Sequence, residues 1–223
     1  MYLSRLILNP RTRQVRSELA NPYELHRTVM HAFAGHATDD DRVLFRLEIS
    51  PRSGIPSLLV QSPLEPDWSF LTTPEKNYLL LVTDCPPGVE SNPAVKTFML
   101  GLRSGQTLMF RLLANPTVKK DREDKKQGRR VGLYREEDQL KWLERKLEMA
   151  GARLVLARTS NEYKLSGERK HEDERQDLSF LSVQFDGLLT VHEPKKLLAA
   201  MQSGIGSGKG LGFGLLSLAP VAQ

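Results

Sequence analysis

Six glycines fall on every second position from Gly204 to Gly214, separated by Ile205, Ser207, Lys209, Leu211 and Phe213. A helix interior is ruled out for this stretch, because each glycine there costs about 1 kcal/mol relative to alanine. The segment reads as a loop leading into a strand over about 210–218. Its backbone is its working surface: amides without a Cβ can approach a phosphate closely, and Lys209 adds a positive charge. It is not a P-loop. With Gly208-Lys209 aligned on that motif, the first glycine falls on Ser203 and the closing Ser or Thr on Gly210. It is not a dinucleotide fingerprint either, since its glycines alternate and precede a strand. A nucleotide-hydrolysing enzyme is set aside on these grounds.

Elsewhere the apolar runs are short and change period. Residues 2–8 read as a strand ended by Asn9-Pro10. Asn21 then caps a helix with Pro22 at its first position, and Glu24 is placed to complete a capping box; Leu25, Val29, Ala32 and Phe33 mark its buried stripe, and Gly35 with the acidic run Asp39-Asp40-Asp41 ends it. Strands follow near 43–49, 57–61, 94–102 and 107–114, while residues 63–93 are punctuated by prolines and show no clear element. A second helix spans 135–150, with Leu140, Leu143, Leu147 and Ala150 at helical spacing and Gly151 as its stop. A strand at 153–158, another at 178–191 and a short helix at 194–202 complete the order. The polar stretch 159–177 is either a long hairpin arm or a disordered tip. Both halves run β-α-β-β-(α)-β, so the expected class is α+β, with one domain over 1–115, a basic linker over 116–130 and a second domain over 131–223.

The net charge of +5 is unevenly spread. Residues 1–31 carry +3, residues 115–135 carry +5 and residues 195–223 carry +3, with acidic scaffold between them. Clustered Lys and Arg of this kind suit a polyanion, whose phosphates supply sequence-independent affinity. The middle cluster, from Lys119 to Arg130, holds too little apolar surface for a core and reads as a mobile loop or a hairpin tip. The single cysteine, Cys85, leaves no internal disulfide and no cysteine-based zinc cluster. No apolar run approaches the ~20 residues of a membrane span, and the N-terminal stretch is too short and too early-charged for a secretory signal. A reduced, cytoplasmic protein with no membrane partner is expected.

On the first helix, Tyr23, His26 and Arg27 stand at i, i+3 and i+4 and share one polar face. A phenol, an imidazole and a guanidinium together can move protons beside a phosphate, and histidine is the side chain that titrates nearest neutral pH. His31 and His36 leave that face, His171 lies in the polar arm and His192 at a strand end, so no metal site and no cofactor are expected.

These segments resemble the CasE family of CRISPR RNA-processing endoribonucleases, the repeat-cleaving subunit of the type I-E Cascade complex. The resemblance rests on Leu19-Ala20-Asn21-Pro22-Tyr23-Glu24-Leu25-His26-Arg27, on Gln61 through Glu65-Pro66-Asp67-Trp68, on Phe110-Arg111-Leu112-Leu113-Ala114-Asn115-Pro116, on Trp142-Leu143-Glu144-Arg145-Lys146, and on Gly208 through Pro220. It implies two tandem ferredoxin-like (RRM-like) βαββαβ domains. It also implies metal-independent cutting of precursor CRISPR RNA at the base of a repeat hairpin, with the ribose 2′-OH as nucleophile and 2′,3′-cyclic phosphate and 5′-OH ends as products. The implied partners are the repeat hairpin or mature crRNA and the other Cascade subunits. His26 matches the family's catalytic general acid/base and Tyr23 its tyrosine partner. Where some relatives carry a further hydroxyl, this chain has Ala34. Lys119, Lys120, Arg129 and Arg130 match the family's basic loop in position, Arg158 lies where the arm begins, and Arg27 and Lys209 are candidate phosphate contacts. The glycine-rich loop (Gly204, Gly206, Gly208, Gly210, Gly212, Gly214) is expected to face Tyr23 and His26 from a cleft between the domains. A non-catalytic RNA-binding scaffold is the competing reading.

Overall fold

Two short helices, not one, follow the first strand, β1 (Tyr2–Ile7). Thr12 caps α1 (Arg13–Ala20) by accepting from the Val15 amide; Asn21 then caps α2 (Pro22–His31), where Pro22 takes a position that needs no N–H. The helix α1 escaped the sequence reading because only Val15 and Glu18 of its eight residues are buried, too few to mark an apolar period. Its presence also removes the capping box expected at α2. The Asn21 N–H is already bonded to the Ser17 and Glu18 carbonyls at the end of α1, and Glu24 pairs with Arg27 instead.

The computed structural model describes residues 1–35, 41–73, 75–122, 125–171 and 174–221. His36, Asp39 and Asp40 lie outside the described residues. The strands β2 (Leu44–Ile49), β3 (Pro56–Ser62) and β4 (Ala94–Thr97) join β1 in an antiparallel sheet of order β2-β3-β1-β4. Its core holds Leu6, Leu25, Val29, Phe45, Leu58 and Val60. Between β3 and β4 the described residues form only two 3₁₀ turns, Ser69–Leu71 and Val82–Asp84. Side chains do the anchoring there. Asn92 accepts from the Ile7 amide and donates to the Ile7 and Leu80 carbonyls, and the buried Trp68 indole donates to Ser4 Oγ at 3.1 Å. These elements, with Gly167–Asp177 and Gly210–Gly212, make up the first of two units.

The second unit consists of Leu100–Ser166, Leu178–Lys209 and Phe213–Gln223. In chain order it holds β5 (Thr107–Ala114), β6 (Thr117–Arg122), β7 (Lys125–Gly132), α3 (Glu136–Met149), β8 (Ala152–His171, running into the first unit's segment), β9 (Glu174–Val191), α4 (Pro194–Ser203) and β10 (Leu216–Pro220). Its sheet has the order β10-β5-β9-β8. Numbered within their own sheet, the strands of both four-stranded sheets therefore run fourth, first, third, second. On α3 the acids Glu136, Glu137 and Asp138 sit at the positive end of the helix dipole, and Trp142, Leu143 and Leu147 face inward, Trp142 stacking on Phe185 at 6.1 Å.

Four expectations are corrected. The domain boundary falls at Met99/Leu100, not at 115, because β5 pairs with β9 and β10 (Leu112 opposite Phe185 and Leu216). The turn before β5 reads locally as a hairpin after β4, yet the Gly105 amide and the Gln106 carbonyl bond Val191, far along the chain. The segment 116–130 is not a linker but the hairpin β6–β7, with Lys119 opposite Arg130. β4 stops at Thr97 rather than at 102. The last strand begins at Leu216 rather than near 210, since Gly212 and Gly214 adopt φ of +89°, a left-handed value that ends extended pairing. The described residues of the polar stretch 159–177 lie in the strands β8 and β9, which are 20 and 18 residues long. No described helix is long and apolar enough to cross a membrane.

Candidate active site

Asn21 sets the start of α2 and thereby the direction of its first two turns. Its side-chain oxygen accepts from the Tyr23 amide at 3.3 Å, so Tyr23 and His26 follow on one face of a capped helix. Both are half-buried. Arg27, on the same side, is exposed and its Nη1 pairs with Glu24 Oε2 at 2.9 Å. Leu25 and Val29, on the opposite side, are buried and hold the helix to the first core.

The His26 ring has two defining neighbours within the first unit. Phe45 of β2 lies nearly parallel to it, 6.2 Å between centroids and 18° between planes. The backbone of Gly210 lies against its edge: a Cβ at Gly210 would stand 3.5 Å from His26 Cε1, 3.7 Å from Nε2 and 3.8 Å from Nδ1. Gly212 packs on Phe45, where a Cβ would come within 3.2 Å of the phenyl ring, at a φ of +89° that only glycine adopts without strain. Within the glycine-rich segment, Gly210 lies against the histidine and Gly212 against the Phe45 ring beside it. Gly204 ends α4, Gly206 packs on Trp142, Gly208 packs on Phe213, and Gly214 bonds Leu113 and Ile205, all in the second unit.

This surrounding governs the chemistry of His26. Burial lowers its pKa below the ordinary histidine value, since a low-dielectric environment disfavours the imidazolium. Its Nδ1 is buried and has no hydrogen-bond partner among the described residues. The result is a neutral imidazole at neutral pH with an unused polar atom, which is costly for stability and useful for proton transfer. Phe45 is the residue of this site that sequence reasoning missed. It carried no local signal, because an aromatic on an alternating strand reads as ordinary core.

The remaining candidates are distributed rather than gathered. Lys119 and Arg130 are exposed and directly opposite each other on β6–β7; Arg158 is exposed on β8; Lys209 is half-buried, its stem lying along Gly214. The side chains of Lys120 and Arg129 lie outside the described residues. Ala34 falls just past the end of α2 and is exposed. Among the described residues no three His, Cys, Asp or Glu side chains are grouped as a metal site would require.

Known proteins match this chain along its whole length. The CRISPR associated protein family matches residues 1–220. The CRISPR-associated endoribonuclease Cse3 of Thermus thermophilus is 38% identical over 99% of this chain and 100% of its own. The Cascade subunit CasE of Escherichia coli K12 is 29% identical over 99% of this chain and 100% of its own. Among solved structures, Thermus thermophilus Cse3 bound to an RNA representing a pre-cleavage complex superposes with a TM-score of 0.81 and 36% identity, covering 98% of each chain. A match over 1–220, together with a relative that shares more than a third of its residues end to end, makes this chain a member of the CRISPR associated protein family, and the CasE resemblance carried by Asn21–Arg27 and the glycine-rich tail is upheld.

Proposed function

We propose that the chain is a metal-independent endoribonuclease that cuts precursor CRISPR RNA at the base of a repeat hairpin. The observation that carries this reading is His26: half-buried, kept neutral by burial, its Nδ1 unpartnered, and lying against glycine backbone. The reaction is an in-line transfer within the RNA. The ribose 2′-oxygen bonds to phosphorus, the bond from phosphorus to the 5′-oxygen breaks, the 2′-OH proton leaves to a base and the 5′-oxygen gains a proton. Neutral His26 accepts the first proton and the Tyr23 phenol hydrogen-bonds the leaving oxygen or the phosphoryl group. Arg27 exchanges Glu24 for the phosphate at little cost, because an exposed ion pair is worth only about 0.2–1 kcal/mol. No step in this scheme calls for a divalent ion.

Lys119, Lys120, Arg129 and Arg130 grip the stem through its phosphates, with Arg158 and Lys209 as further contacts; an A-form major groove is read by shape and charge. We read both sheets as ferredoxin-like units, which their common strand order supports; the first lacks a second long helix among its described residues. The names of the relatives and the RNA-bound structure support the ribonuclease reading, and the CasE likeness supports a place beside other Cascade subunits in the cytoplasm, with the product RNA retained.

The test is cleavage of a labelled CRISPR repeat hairpin in EDTA by the wild type and by His26→Ala and Tyr23→Phe. The wild type should cut and leave 2′,3′-cyclic phosphate ends. His26→Ala should lose about 10²–10⁴ in rate with hairpin binding retained, and Tyr23→Phe should lose less. Absence of cutting by the wild type, with tight binding, would favour the scaffold reading.

A further inference from the structure

Beyond Tyr23 and His26, the far end of α2 carries an aromatic column that the proposed cleavage does not use. His31, the last residue of the helix, is exposed and lies over Phe70 with 4.3 Å between ring centroids and 25° between planes. Phe70 sits in the 3₁₀ turn Ser69–Leu71, half-buried and tilted against buried Trp68 at 6.4 Å; Trp68 in turn meets Phe33 edge-on at 6.2 Å. The column is thus rooted in the first core and ends in a histidine ring at the surface. Lys76 Nζ lies 5.3 Å from the Phe70 centroid and puts a cation beside it.

A surface histidine held flat on a rooted phenylalanine has already lost much of its rotamer freedom, so a further planar group can stack on it at little entropic cost. Unpaired bases of RNA are taken up on aromatic and imidazole faces of this kind. His31 lies off the face that Tyr23 and His26 share but on the same helix, one turn beyond Arg27. Tyr23, Arg27 and His31 succeed one another at intervals of four residues along α2, a row about 12 Å long at ~1.5 Å per residue.

We propose that the His31–Phe70 stack receives an unpaired RNA base next to the scissile linkage, with Arg27 and Lys76 on the flanking phosphates. This rests on the endoribonuclease reading above. The Asp67 carboxyl nearby is held below the usual range chiefly by hydrogen bonds from Ser69 and to a lesser degree by the charge of His31. The contribution of His31 is stacking and should not vary with salt, whereas that of Lys76 should.

The experiment uses the full chain and a CRISPR repeat hairpin RNA made uncleavable by a 2′-deoxy sugar at the cut, with 2-aminopurine replacing the base on one side of the cut or the other. One probe should be quenched by the wild type, recover its fluorescence with His31→Ala and stay quenched with His31→Phe. His31→Ala should weaken binding roughly tenfold at low and high salt alike; Lys76→Ala should weaken it mainly at low salt. If neither probe distinguishes the wild type from His31→Ala, or if His31→Phe behaves like His31→Ala, the stack is not a base site. Cleavage of the all-ribose hairpin by the same wild-type preparation is read separately. Cutting with unmoved probes overturns the stack alone, and no cutting overturns the endoribonuclease reading while the quenching still decides the stack.

Discussion

Replacing His26 by leucine should make the protein more stable while abolishing cleavage. Leucine is apolar, of similar size, and able to keep the contacts with Phe45 and Gly210. What it removes is the buried Nδ1 that has no partner among the described residues. An unsatisfied buried polar atom costs about 1–3 kcal/mol. With some of that returned through imperfect packing, a net gain of about 1 kcal/mol remains, or a rise of roughly 2–4 °C in Tm for a chain of this length. The gain should also depend on pH. The folded-state pKa of His26 is lowered by burial, so below about pH 6.5 the unfolded chain takes up a proton that the folded chain resists. The stability contributed by neutral His26 is complete above the unfolded value and is lost as pH falls through the folded one. Calorimetric or denaturant melts of wild type and His26→Leu between pH 5 and 7.5, beside a cleavage assay, measure both effects. The stability gap should widen toward acid pH. A leucine variant less stable than wild type, or a gap constant over that range, would show that Nδ1 is satisfied in solution and would refute the argument from burial.

Phe45→Leu should let water reach His26 and move the acid limb of the cleavage pH–rate profile upward, toward the ordinary histidine value; a limb that stays in place means that the phenyl ring does not desolvate the imidazole. Gly212→Ala should lower Tm by several degrees, because an L-residue at φ +89° costs about 1–2 kcal/mol and its Cβ crowds Phe45. Gly210→Ala, outside the left-handed region and with room for its methyl, should leave Tm intact yet slow cleavage at least tenfold by filling the space beside the imidazole; Tm and rate measured together on the two variants check the pair. Lys119→Ala combined with Arg130→Ala should weaken hairpin binding and reduce the slope of log affinity against log salt by about 1–2, with little change in rate at saturating protein.

Local chemistry was enough to place α3 and α4, and the start of α2, to within a residue, because caps such as Asn21-Pro22 and a regular apolar stripe act over one or two turns; α2 stops at His31, short of the Gly35 that the stripe suggested. The same chemistry singled out Tyr23 and His26, a polar face on a helix whose other side is apolar. It could not find α1, which has one buried apolar residue and owes its stability to packing against α2.

Where β5 belongs was outside the reach of any local pattern. Its own alternation specifies a strand, while its partners, Phe185 and Leu216, stand more than seventy residues downstream, and burial of Phe110 and Leu112 against α3 decides the choice. The alternating glycines show the same division. Their spacing announced a backbone surface, and tertiary packing decided which amides lie where: Gly210 against His26, Gly212 against Phe45 and the rest in the second unit. The sequence by itself determined α2, α3 and α4, most of the strands and the choice of His26 as the candidate for proton transfer. Only the tertiary structure decided that this histidine is neutral and has no partner for its Nδ1 among the described residues, because desolvation depends on Phe45 and Gly210, which are distant in sequence and adjacent only once the chain has folded.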